Sequence, residues 1–315
     1  MPGRMEASVR MTFALPTSAR VFRRFFLAVL GVLSAAHESG AADFRTANFI
    51  VAAPTPELAQ KIGAAAEHYR QVLAEEWLGK PLPRWSRPCP ITAQVGPHLG
   101  AGGVTSFVFD HGEVYNWTMT IQGNEQRIID SVLPHEITHT VFASHFRRPL
   151  PRWADEGACT TVEHPVERGR QHRLLIEFLR TGRGIAFPDM YAMREYPPDV
   201  LPLYAQGYSL ARYLIERGGR RKYVAFLAEG LTNEDWSRAL ATHYGVGSVD
   251  QMQQVWLDWV KKDCPAPPAG LATVVPPTQP GLAMARGQSP DPAGPAAPAR
   301  RSIYVGRHAD QPAPR

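Results

Sequence analysis

The stretch that most narrows how this chain can fold is Leu133-Pro134-His135-Glu136-Ile137-Thr138-His139, which reads H-E-x-x-H. On an α-helix, residues four apart lie one turn above each other, so His135 and His139 aim two imidazoles at one point. Glu136 lies about 100° round the helix from His135, too far to share a ligated ion but well placed to hold a water beside it. Leu133, Ile137 and Val141 fall on the opposite side, where packing into a core would hold both rings still. The pattern predicts a rigid, buried helix that presents two metal-ligating imidazoles and one base.

The 315 residues carry a formal net charge of +5 and are 44% hydrophobic, enough for a sizeable core in one or two domains. Arginines are interspersed with acidic residues and form no stripe, so there is no electrostatic footprint for nucleic acid. Arg20, Arg23 and Arg24 precede the apolar run Phe25–Leu33, and the small residues Gly40-Ala41-Ala42 follow. Residues 1–42 therefore read as a secretory signal peptide, and the protein as exported, periplasmic or secreted. Arg23-Arg24-Phe25-Phe26-Leu27 also resembles a twin-arginine signal, which leaves the export route open. The run is too short for a stable membrane span, and no other segment approaches the roughly 20 apolar residues that spanning requires. The cysteines, Cys89, Cys159 and Cys264, exclude a dense disulfide framework. One bridge could join Cys89 to Cys264 at the two ends of the domain, with Cys159 a buried small residue beside the H-E-x-x-H helix.

Phe44–Ala53 reads as a first strand ended by Pro54. Thr55 can cap a helix that has Pro56 at its first position and stops at Gly79. Short β-type runs follow at Ile91–Val95 and Phe107–Phe109, separated by glycines at 100, 102 and 103. Val114–Ile121 is the strongest strand, rich in β-branched and aromatic residues, and its edge could pair with an extended peptide. Ser131 can cap the H-E-x-x-H helix with Pro134 in its first turn; a helix that starts earlier should kink at Pro134 instead. Trp153–Glu163, Gln171–Leu179, Tyr204–Ile215, Lys222–Leu227 and Val249–Val260 then read as helices. Strands first and helices afterwards predict an α+β fold: an N-terminal mixed sheet with helices, the zinc-binding helix, then a mostly helical C-terminal half. The domain covers 43–264, and residues 265–315 form a disordered Pro/Ala-rich tail.

A zinc site needs a third protein ligand, and two candidates exist. His145 has metzincin spacing, but Phe142 occupies the position where that pattern needs glycine, and Met193 makes no convincing Met-turn. Glu156, in Trp153-Ala154-Asp155-Glu156-Gly157, would ride a second helix whose Gly157 permits close approach to the first. Asp155 can orient a ligand histidine from behind, and Glu163, seven residues past Glu156, could do the same.

H-E-x-x-H followed by W-x-x-E-G resembles the gluzincin clan of zinc metallopeptidases, in particular the peptidase MA-like domains of bacterial exported proteins. The resemblance runs from Ile91 to about Arg217 and includes Tyr204-Ala205-Gln206-Gly207, similar to the Y-x-x-G segment of related aminopeptidases. It does not include the G-x-M-E-N segment that holds a substrate's free amine. It implies a zincin-like fold, with His135, His139 and Glu156 as zinc ligands, Glu136 as general base and Tyr204 as the phenol that stabilises the oxyanion. Tyr208, one turn later, could substitute for Tyr204. The expectation is an exported zinc metallopeptidase acting on a peptide or protein substrate. A zinc-stabilised cell-envelope binding domain with little turnover is the alternative, and hydrolysis of another amide or ester by the same chemistry is a third.

Overall fold

The computed structural model describes residues 42–265 and the strand Ser302–Val305. The signal-peptide reading falls outside the described residues apart from Ala42, as does most of the tail.

The chain opens with a hairpin of β1 (Ala42–Arg45) and β2 (Phe49–Ala53), paired antiparallel, where the sequence suggests one continuous strand. Polar side chains make the break. Thr46 N–H donates to Phe49 O at 2.9 Å, while Thr46 Oγ1 and the Asn48 amide both donate to Glu67. Helix α1 (Pro56–Leu78) begins and ends as expected: Thr55 accepts from Leu58 N–H, and Gly79 takes the left-handed conformation at φ 73°. It packs on β2 and supplies Trp77 to the core.

β3 (Cys89–Val95), β4 (Gly102–Asp110) and β5 (Glu113–Gly123) complete the N-terminal half. With β6 (Ser302–Val305) they form a mixed six-stranded sheet in the order β1-β2-β3-β5-β4-β6. β2–β3 and β3–β5 are parallel; the other pairs are antiparallel. β5 is thus flanked on both sides over Met119–Gln122, so its end near Ile121 offers no free edge. In β4, β6 pairs only with the Ser106–Phe109 half, and among the described residues no strand flanks the outer side of Gly102–Thr105.

After β5, Asn124 caps α2 (Glu125–Arg127), which runs through a π-turn at Ile128–Val132 straight into α3 (Leu133–Phe146). The helix therefore starts before Ser131, whose hydroxyl bonds Asp130 and accepts from His164 N–H instead of capping. The wider π-turn sits where the Pro134 ring would otherwise crowd the carbonyl four residues back. Every residue from Leu133 to Ala143 is buried, against α1, β4 and β5 and the helix that follows.

That helix is α4 (Arg152–Thr161), and α5 (Pro165–Arg180), α6 (Phe187–Ala192), α7 (Leu201–Asn233), α8 (Trp236–Tyr244) and α9 (Val249–Lys261) complete the helical half. The fold is α+β. α7 joins two segments that the sequence separates, with Gly219 at φ 77° marking the break between them. Trp153 is fully buried among Tyr191, Phe226 and Trp236, so the aromatic of W-x-x-E-G is a core residue. All three cysteines are free and buried, so Cys89 and Cys264 form no bridge. Among the described residues, no helix is long and apolar enough to cross a membrane.

Candidate metal centre

The close approach that Gly157 permits is to α7, not to the histidine helix α3 as the sequence suggests. A Cβ on Gly157 would strike the Gly207 carbonyl of α7, and one on Gly207 would lie 2.7 Å from Trp153 O. These two glycines let α4 and α7 approach backbone to backbone. The approach carries Glu156, on α4, and Tyr204, on α7, to the histidine face of α3.

At that face the donors converge. Glu156 Oε2 lies 3.4 Å from His135 Nε2 and 3.7 Å from His139 Nε2, with all three side chains buried. The opposite ring nitrogens face carboxylates: His135 Nδ1 is 2.7 Å from Glu163 Oε1, and His139 Nδ1 is 3.1 Å from Asp155 Oδ1. A carboxylate on Nδ1 draws the ring proton to that side, and in the neutral imidazole this leaves the Nε2 lone pair facing the cluster. Asp155 thus lies where it can orient His139. Glu163 is the partner of His135, held at the end of α4 by Glu163 N–H donating to Thr160 O at 3.2 Å.

Glu136, Asp155, Glu156 and Glu163 are all buried around two imidazoles, and among the described residues Glu156 Oε2 and Glu136 Oε1 accept no hydrogen bond. Buried carboxylates at such density need compensating positive charge. Without a metal, protons supply it. Burial alone would push both imidazoles down, but Glu156 and Glu163 hold His135 well above the usual histidine range, and Asp155 and Glu156 raise His139. Glu156 is opposed by its burial yet held low by the two histidines and by Tyr196. Two imidazole nitrogens and one carboxylate oxygen form a donor set suited to zinc.

A second trio, His135, His139 and Cys159, also has donor atoms within 4.8 Å of one another. Cys159 Sγ, however, lies 3.3 Å from His139 Nδ1, the nitrogen that faces Asp155, on the far side of the ring from Glu156. Glu156 is the better geometric match. His145 sits in the last turn of α3 with its ring edge-on to Phe146, and among the described residues it joins no such cluster.

Glu136 lies against β4. Thr105 Oγ1 donates to Glu136 Oε2 at 2.5 Å, and a Cβ on Gly103 would lie 2.7 Å from Glu136 Cγ. The glycine at 103, read as a loop residue from the sequence, is a strand residue that makes room for this side chain. Burial raises the Glu136 carboxyl, against the pull of both histidines and Thr105.

Two phenols reach Glu156. Tyr204 hydrogen-bonds it, and Tyr196 donates to Oε1. Burial and the Glu156 charge push both phenols up, so each stays a protonated donor. Tyr208 lies instead near the charges of Arg212, Arg168 and Glu216. Tyr196 went unnoticed in the sequence; its only local signal is the Tyr-Pro-Pro stop before α7. A cavity of about 650 Å³ lies beyond Arg152, lined by Arg152, Tyr191, Met193, Arg194 and Trp236 among others, but by none of the histidines or carboxylates of the centre. In comparisons with known proteins, no family model, curated protein or solved structure matches this chain.

Proposed function

We propose that this protein is an exported, zinc-dependent peptidase of zincin-like arrangement, with zinc held by His135, His139 and Glu156. The observation that carries the reading is the convergence of two Nε2 atoms and Glu156 Oε2, each ring backed by a carboxylate, beside a carboxylate that ligates nothing. When bound, zinc supplies Lewis acidity: it polarises a carbonyl and brings the pKa of a water down to about 7.

The protein groups do the rest. Glu136 takes a proton from the attacking water and passes it to the leaving amine. Thr105 fixes the Glu136 carboxylate in place against β4. Tyr204, its one O–H turning from Glu156, donates to the oxygen that gains charge as the peptide carbonyl becomes tetrahedral. Asp155 and Glu163 hold the imidazoles in one tautomer throughout. The outer side of Gly102–Thr105, not the Ile121 end of β5, is the edge along which an extended peptide would lie.

One observation favours a second reading. The imidazoles of His135 and His139 and the carboxylates of Glu136 and Glu156 are almost wholly shut off from solvent, as in a structural zinc site, which would suit a zinc-stabilised binding domain. Peptide hydrolysis by the full chain and its Glu136→Gln variant separates the two. The peptidase reading expects turnover to fall by about 10²-fold or more with zinc retained. Zinc without turnover in the unmodified protein would establish the binding domain, and turnover indifferent to Glu136→Gln would defeat the mechanism.

A further inference from the structure

Tyr196 lies outside every motif that the proposed peptidase function uses. It sits between α6 and α7, in the segment Met193–Val200, where Pro197 and Pro198 prevent helix and favour an extended backbone at the residue before them. Ion pairs tether both sides of the segment: Arg194 to Glu234 at 2.5 Å and Arg183 to Asp199 at 2.6 Å. Between these anchors, the Arg152 guanidinium stacks 4.5 Å from the centre of the Tyr196 ring. Arg152 and Glu156 lie four residues apart on one face of α4, so the ring bridges them: cation on its face, carboxylate at its hydroxyl.

A carboxylate oxygen has about two lone-pair sites. Tyr196 donates to Oε1, Tyr204 bonds the same carboxylate, and Oε2 accepts no hydrogen bond among the described residues. Oε1 is thus engaged by the Tyr196 phenol, and Oε2 is turned to the two Nε2 atoms. We propose that Tyr196, braced by Arg152, is a positioning residue that makes Glu156 a one-oxygen ligand and so keeps the centre's coordination number low. The inference rests on the zinc reading above. Loss of the Tyr196 hydroxyl frees Oε1 and leaves the carboxylate unheld, so that it must be ordered when zinc binds and can rotate to offer both oxygens, crowding the position a water needs.

The test compares the full chain with Tyr196→Phe, which keeps the ring on Arg152, in two measurements that need no turnover. Competition with a chromogenic chelator should show zinc held about 10-fold more weakly, the scale on which partners of metal ligands act. Visible absorption of the Co²⁺-loaded variant should weaken, as it does when four-coordinate cobalt gains a ligand. Arg152→Met should shift both readouts in the same direction by less. Zinc affinity within twofold of the parent, together with an unchanged cobalt spectrum, would overturn the inference and leave the zinc reading standing. Failure of the unmodified protein to bind zinc through His135 and His139 would instead remove the reading beneath it.

Discussion

Asp155 and Glu163 stand in equivalent positions behind His139 and His135, and a buried ring nitrogen with a carboxylate at 2.7–3.1 Å is oriented as well as charged. Asp155→Asn and Glu163→Gln are each expected to weaken zinc binding by about 10- to 100-fold, measured by chelator competition at neutral pH. The two residues differ in how visible they are from the sequence. Asp155 adjoins Glu156 in a recognisable motif, so its nearness to the centre can be read directly. Glu163 lies beyond the end of α4, and its position depends on the turn at Thr160 and on His164 N–H reaching Ser131 Oγ at 3.3 Å. No spacing rule encodes that tertiary link. Tyr196 is hidden for the same reason, since it arrives from a connector forty residues past its partner Glu156.

At the scale of elements, the centre depends on how closely its helices and strands approach. Gly157→Ala would drive a methyl group into the backbone of Gly207, which cannot move aside as a side chain could. It should cost about 1–3 kcal/mol of stability in denaturant melts, from overpacking between α4 and α7. Gly103→Ala would press instead on Glu136, leaving the histidines alone. Its expected signature is loss of turnover with zinc content preserved, and parallel loss of zinc would contradict the placement of Gly103. Long elements with clear caps, such as α1 between Thr55 and Gly79, follow from local rules alone. The hairpin of β1 and β2 does not, because its turn is held by Glu67 from α1. The short helices α6 and α8 were missed because six to nine residues offer too little periodicity to stand out.

For the whole molecule, the buried charges tie stability to pH. His135 and His139 hold protons more tightly in the folded, metal-free chain than at the ordinary value of 6.5. Groups raised in this way stabilise fully below the unfolded value, and that contribution is lost as pH rises through the folded one. The metal-free protein should therefore melt at progressively lower temperature as pH rises above about 6.5, other groups equal. Zinc should reverse the trend, because it binds deprotonated imidazoles and its affinity grows with pH. A melting temperature that is flat or rises over that window without metal would contradict the charge balance described for the centre.

The most direct test of the account is a zinc-edge anomalous difference map from crystals of the zinc-loaded protein. A single buried peak is expected, bounded by His135 Nε2, His139 Nε2 and Glu156 Oε2, with Glu136 beside it and not bound. A peak against Cys159 Sγ or His145, or no peak between the two histidines, would contradict it.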